Sequence, residues 1–228
     1  MLRHAIVVVA IAGCGEKPVP PAASGSDLGS GSGSAITCIA DQVDPHDRVW
    51  VRDPTCAADD VKCKANCETQ NDSSACMSRA LILEKDPAQR EEANLMFIRA
   101  CALGTIAGCT NYAGFLWANN KNNAASECAY LLFQKTCAVK DPFGCGMLGR
   151  MTIDNAPNAD AAALGKRALE GACGELGGFP CRVLAMELET KKLGDYDPSL
   201  ITSLLGQACS AGDQAACGTH ATATETFK

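Results

Sequence analysis

The chain has 228 residues, a formal net charge of −6 and only 5% aromatic residues. An acidic chain lacks the basic patch that nucleic-acid binding calls for, so we expect no nucleic-acid partner. Fifteen cysteines in 228 residues exceed what a reducing cytoplasm commonly holds, which favours an oxidising compartment and disulfide bonds. Small apolar residues make up much of the 47% hydrophobic content, and this favours closely packed helices over an aromatic-rich sheet core.

A structural zinc site is the alternative use for many cysteines. Such sites need cysteine pairs spaced by two to four residues, often with histidine. The recurrent spacing in this chain is seven intervening residues, and Cys63 with Cys67 is the nearest match to a zinc pair. The histidines are His4, His46 and His220. We therefore expect neither a metal nor another cofactor.

The N-terminus has the pattern of an export signal. Arg3 precedes an apolar run of about eight residues, which is far too short to span a bilayer. The stretch IAGC at 11–14 resembles a lipobox, the processing site of bacterial lipoproteins. This resemblance implies that residues 1–13 are a signal peptide and that Cys14 is acylated. The alternative is an ordinary signal peptide in which Cys14 is incidental.

The resemblance to lipoproteins also implies a location. Gly15, and not an acidic residue, follows Cys14. In such lipoproteins this pattern is associated with sorting to the outer membrane. Residues 14–36 are rich in glycine, serine and proline, so we predict a flexible tether with a mean reach of roughly 25 Å. The folded part would then lie in the periplasm or at the cell surface, held to the membrane by its lipid anchor.

A cysteine pair with seven intervening residues recurs every 36 residues from position 101 onward. A period of this length indicates a solenoid of repeated units. We predict an irregular N-terminal cap over 37–66, a repeat array over 67–218 and a tail over 219–228. The cysteines of the array, including an imperfect first copy, are Cys67, Cys76, Cys101, Cys109, Cys137, Cys145, Cys173, Cys181, Cys209 and Cys217.

Equivalent positions of the repeats alternate between small and large side chains, which is typical of packed helices. The small column, four residues after the second cysteine, consists of Ala80, Ala113, Gly149, Ala185 and Ala221. The large column, four residues before the first cysteine, consists of Phe97, Phe133, Leu169 and Leu205. A third column just before that cysteine holds Ala100, Thr136, Ala172 and Ala208.

Each unit is predicted to form two helices, one after the second cysteine and one leading to the next pair. Asp86-Pro87 and Asp197-Pro198 place a capping side chain before a proline at the first helical position. The segments 140–142 and 176–178 interrupt the chain between units. We predict an all-α fold, an α/α solenoid of four to five helical hairpins stapled by disulfides.

The chain reverses between the two cysteines of a pair, so a local bridge is geometrically plausible. Each local bridge would contribute about 2–2.5 kcal/mol in the chain-entropy model. The alternative is a bridge across one hairpin, such as Cys109 with Cys137. Four further cysteines, Cys38, Cys56, Cys63 and Cys128, fit two more bridges, for example Cys56 with Cys63, but spacing does not assign their connectivity.

Cys128 lies inside a second helix, where other repeats carry Glu92, Leu164 or Leu200. A redox role, a bridge to the N-terminal cap and a buried thiol are the three options for it. We expect a mature protein without a reactive thiol.

The cysteine pairs, the 36-residue period and the small column resemble those of disulfide-rich Sel-one-like repeat proteins, relatives of the tetratricopeptide repeat. The resemblance covers about residues 63–218 and implies an α/α solenoid with a concave face. The glycine-rich turn that this family places between paired helices is absent, with residues 118–122 and 154–158 in its place.

Motifs of common hydrolases, such as Ser-x-x-Lys, Gly-x-Ser-x-Gly and His-Glu-x-x-His, do not occur. The stretch GCGMLG at 144–149 matches a dinucleotide-binding pattern, but that site needs a preceding strand. Gly149 belongs to the small column, so we interpret the stretch as packing. Trp117, near Tyr112 and Phe115, is our candidate for an exposed binding anchor, although aromatic residues at helical spacing are usually core.

The leading hypothesis is a scaffold that binds a protein or peptidoglycan partner in the envelope. The resemblance implies an alternative, because some secreted cysteine-rich relatives are described as penicillin-binding proteins with slow β-lactam hydrolysis. No residue supports that activity here. A third option is a stress-resistant lipoprotein without a specific ligand.

Overall fold

The structure is a computed structural model that describes residues 38–46, 50–119, 123–190, 193–194 and 196–219. All of them belong to one compact unit, Ala35–Lys228. The predicted signal peptide, Cys14, the tether and residues 220–228 lie outside the described residues.

The described residues form helices and no strands, which confirms the all-α prediction. Successive helices pack on one another along the chain, from α1 to α10. The N-terminal part contains a short 3-10 helix Ala40–Gln42, α1 Thr55–Ala58 and α2 Asp60–Gln70. The hairpins are α3 Ser73–Leu83 with α4 Arg90–Ala102, α5 Ile106–Asn119 with α6 Asn123–Ala138, α7 Pro142–Asp154 with α8 Ala159–Leu176, and α9 Gly178–Glu189 with α10 Pro198–Ser210. Residues 214–219 are helical and begin a further unit.

Aspartate side chains begin α7, α10 and a short 3-10 helix, Pro87–Gln89, that leads into α4, and each aspartate is followed by proline. The carboxylates accept hydrogen bonds from backbone N–H groups one to two residues beyond the proline, which satisfies donors that the first turn leaves free. This confirms the predicted caps at Asp86 and Asp197. The same arrangement at Asp141 starts α7 before the cysteine, earlier than the repeat pattern suggested. The bonds run from Ala88 to Asp86, from Gly144 to Asp141 and from Ser199 to Asp197.

The turn between two helical units has the same backbone geometry at several junctions. Gly104, Lys140 and Gly212 stand three residues after the first cysteine with positive φ values of 90°, 64° and 94°. Their N–H groups donate to the carbonyl oxygen of that cysteine. A left-handed residue ends the preceding helix, as glycine commonly does. At these three junctions the reversal brings the two cysteines of the pair together.

The N-terminal part is fastened to the array by a buried arginine. Arg79 on α3 has a side chain only 5% exposed and donates to Asp60 of α2 at 3.0 Å. It also donates to Glu92 of α4 at 2.7 Å. A buried guanidinium needs such partners because desolvation of an unpaired charge is costly. The ion pairs therefore join three successive helices.

The predicted columns form the core of the array. The described residues of the small column and all four of the large column are buried: Ala80, Ala113, Gly149, Ala185, Phe97, Phe133, Leu169 and Leu205. At Gly149 the two columns meet closely, since a Cβ there would lie 2.5 Å from the Cγ of Leu169. The alternation seen in the sequence is a packing requirement.

Replacing Gly149 by alanine should lower the free energy of unfolding by about 1–3 kcal/mol, because the added methyl overpacks a core site. Leu169 is fully buried, so it can move away from an added methyl only by displacing its packed neighbours. Chemical denaturation of the oxidised protein measures the change. Gly171→Ala in α8 is the matched control, since nothing lies within 4 Å of a Cβ at that site. The control should gain about 1 kcal/mol through helix propensity, and equal behaviour of both variants would contradict the packing account.

Candidate functional site

All fourteen described cysteines form disulfides, so the described part of the chain holds no free thiol. The predicted cysteines of the array pair locally, with Cα–Cα distances of 4.4–4.7 Å. Each bridge joins the end of one helix to the start of the next helix. Cys109 is bonded to Cys101 and not to Cys137.

The remaining four cysteines form two bridges. Cys56 is bonded to Cys63 within the N-terminal part. Cys38 is bonded to Cys128 of α6, across a sequence separation of 90 residues. Of the three options for Cys128, the structure has the bridge to the N-terminal cap.

Residues 38–46, here called the N-terminal strap, lie against α6 and the α4–α5 turn. Val43 is buried, and its carbonyl oxygen accepts a hydrogen bond of 2.9 Å from the Lys135 Nζ. The His46 N–H donates to the Gly104 carbonyl oxygen at 3.1 Å. The strap therefore covers part of the α6 surface and is covalently held there.

Trp117 is half-buried and packs against the core. The guanidinium carbon of Arg150 lies 4.9 Å from the centre of its ring, within the range of a cation–π interaction. Arg150 on α7 also pairs with Asp154 at 3.7 Å and with Glu187 of α9 at 3.3 Å. The Trp117 ring thus takes part in contacts between α5 and α7.

A groove with a volume of about 540 Å³, here called the α6–α7 groove, opens to solvent between α6 and the end of α7. Residues one helical turn apart on α6 form one wall, and the end of α7 with the following turn forms the other. Its lining consists of Ser126, Glu127, Tyr130, Met151, Thr152, Asn155, Ala156, Pro157 and Ala161.

The groove offers polar groups that the fold does not use. Within the described part of the chain, the side chains of Ser126, Glu127, Tyr130 and Asn155 form no hydrogen bond or ion pair. The Thr152 hydroxyl donates to the Leu148 carbonyl oxygen at 2.8 Å and keeps its own oxygen as an acceptor. The groove therefore presents both donors and acceptors to a bound molecule.

The described lining of the groove holds none of the common pairs that activate a nucleophile. It contains no histidine, lysine or cysteine, and hence no serine–histidine, serine–lysine or cysteine–histidine pair of the kind that activates a nucleophile. Nor do the described residues group three histidine, cysteine, aspartate or glutamate side chains as a metal site would.

A second cavity of about 100 Å³ lies at the C-terminal end of the described array. It is bounded by α9, α10 and residues 214–219, and Arg182 on its edge pairs with Asp213 at 2.7 Å. Its volume holds only a few water molecules, so the α6–α7 groove is the better candidate.

The GCGMLG stretch lies inside α7, and its glycines pack against neighbouring helices. A Cβ at Gly146 would lie 2.5 Å from a ring carbon of Phe179, and Gly149 contacts Leu169. These contacts confirm the packing interpretation, because a phosphate cradle needs an open loop before the helix.

No protein-family model matches the chain, and no curated protein matches it. Among the described helices, none combines the length and the apolar character that a membrane span requires.

The residues of the α6–α7 groove were not singled out from the sequence. Glu127 and Tyr130 carry the one available signal, a three-residue spacing that puts them on the same face of a helix. That spacing is too common to mark a site. The opposite wall comes from α7 and the 155–157 turn, and its approach to α6 depends on helix packing.

Proposed function

We propose that this chain is an exported, lipid-anchored envelope protein whose helical array is a scaffold for docking a protein partner. The α6–α7 groove is the docking site. The observation that carries the proposal is the groove's set of polar side chains without internal partners, in an opening of about 540 Å³ between successive helices. A groove of this size with a few convergent polar groups is a usual form of binding site.

The disulfides support the proposed location outside the cytoplasm. Seven of them among the described residues indicate an oxidising location outside the cytoplasm. Rigid junctions also suit a docking scaffold, because a site that is already ordered loses less entropy when a partner binds. The anchor at Cys14 and the outer-membrane location come from the lipoprotein resemblance alone.

A photo-crosslinking residue in place of Ala161 tests the docking site in cells that express the full chain. We expect a defined covalent adduct with one protein, because Ala161 lines the groove. Ala102, an exposed alanine at the end of α4, is the matched control position and should not give that adduct. The same set of abundant proteins at both positions would rule out the groove as a docking site.

The anchor is tested separately. Replacing Cys14 by alanine should abolish incorporation of labelled fatty acid and release the protein from the membrane fraction, since a lipoprotein is acylated at this sulfur. Replacing Cys38, which is bonded to Cys128, leaves the acylation site intact and is the control. Full labelling of the Cys14→Ala variant would remove the lipid anchor from the proposal.

A further inference from the structure

We propose that the α6–α7 groove recognises a basic side chain, an arginine or lysine presented by a protein partner. This inference rests on the proposed docking function and names the chemistry of the partner. The feature behind it is the juxtaposition of Glu127 and Tyr130 on one wall of the groove.

Glu127 and Tyr130 are three residues apart on α6 and therefore neighbours on one helix face. A carboxylate beside an aromatic ring can hold a guanidinium or ammonium group in two ways. The carboxylate accepts charge-assisted hydrogen bonds, and the ring face attracts the cation through its quadrupole. Pro157 on the opposite wall is exposed and adds an apolar contact for the alkyl stem of such a side chain.

Glu127 is the single charged residue among the described residues that line the groove, so no cation of the lining competes for its carboxylate. The nearest arginine along α7 is Arg150, and it is held by Glu187, by Asp154 and by the ring of Trp117. Glu127 is thus available to an external cation.

The net charge of the whole chain also favours a basic partner. A formal net charge of −6 attracts basic partners at long range and repels acidic ones. An anionic ligand would meet Glu127 without a compensating positive group among the described lining residues. The groove therefore selects against acidic segments.

The test uses the isotopically labelled, oxidised full-length chain and the peptide acetyl-Gly-Arg-Gly-amide at low ionic strength. Acetyl-Gly-Glu-Gly-amide is the matched probe of opposite charge. We expect NMR amide shifts centred on Glu127, Tyr130, Thr152 and Asn155 with the arginine peptide alone. The replacement Glu127→Gln should weaken this binding by about five-fold, and added salt should weaken it in the unmodified chain. Glu170→Gln, an exposed acidic site on α8 outside the groove, should have no effect.

Two results would overturn the inference: no groove shifts with the arginine peptide, or equal shifts with both peptides. Equal affinity of the Glu127→Gln variant and the unmodified chain would also overturn it. Crosslinking from Ala161 separates this failure from failure of the docking function. If the Glu127→Gln variant still gives the same adduct in undiminished amount, the docking site stands and the basic ligand is ruled out. If the unmodified chain gives no defined adduct, both proposals are ruled out.

Discussion

Replacing Cys38 and Cys128 together by serine should lower the free energy of unfolding by about 4.5 kcal/mol. This bridge spans a sequence separation of 90 residues, while each local bridge of the array spans 8 or 9. In the chain-entropy model a bridge stabilises by restricting the unfolded chain, and the restriction grows with loop length. The N-terminal strap would also lose its covalent hold on α6.

The double replacement of Cys209 and Cys217 is the matched control, since it removes one bridge with a separation of 8 residues. It should cost about 2.5 kcal/mol. Denaturant unfolding of the oxidised variants gives both values. If the two variants lost equal stability, loop length would not be what distinguishes the Cys38–Cys128 bridge.

Replacing Phe133 by alanine should cost about 3–5 kcal/mol, the usual range for deleting a buried phenylalanine ring. Phe133 is 0% exposed and belongs to the large column of the core. It lies on α6, which packs on both α5 and α7, so the cavity would loosen the middle of the array. In a repeat protein, such a loss uncouples neighbouring units.

Phe143→Ala is the control because the same ring is removed from a neighbouring site that is 37% exposed. The Phe143 ring contacts the rings of Phe179 and Phe133, with centroids 4.4 Å and 6.5 Å away. Because this ring is partly exposed, its removal should cost about 1–3 kcal/mol, less than at Phe133. Thermal unfolding and native-state hydrogen exchange measure both variants. A larger loss at Phe143 than at Phe133 would mean that the core is not centred on the large column.

The partner of Cys128 could be identified only from the tertiary structure. Spacing identified Cys128 as a cysteine outside the repeat pattern, but its partner Cys38 is 90 residues away. Spacing along the chain does not show which residues so far apart in sequence lie close together in the fold. The pairing depends on where the strap crosses α6, and that is decided by contacts such as the Lys135 hydrogen bond to Val43.

The predicted starts of the first helices differ from the observed ones by a few residues. The repeat pattern suggested that the first helices begin at the second cysteine, whereas α5 begins at Ile106 and α7 at Pro142. A helix begins where a cap or a left-handed residue ends the preceding turn. The cysteine lies one turn later because the bridge needs a residue whose side chain faces the preceding helix.

The sequence by itself determined the helical class, the 36-residue period, the caps at Asp86 and Asp197 and the alternation of small and large core residues. These follow from local chemistry and from a repeated packing requirement, both of which recur at fixed spacing. Only the tertiary structure decided the Cys38–Cys128 bridge, the contact of Trp117 with Arg150 and the α6–α7 groove. Each of these joins residues from different elements, and their approach depends on how the helices pack, which no local pattern encodes.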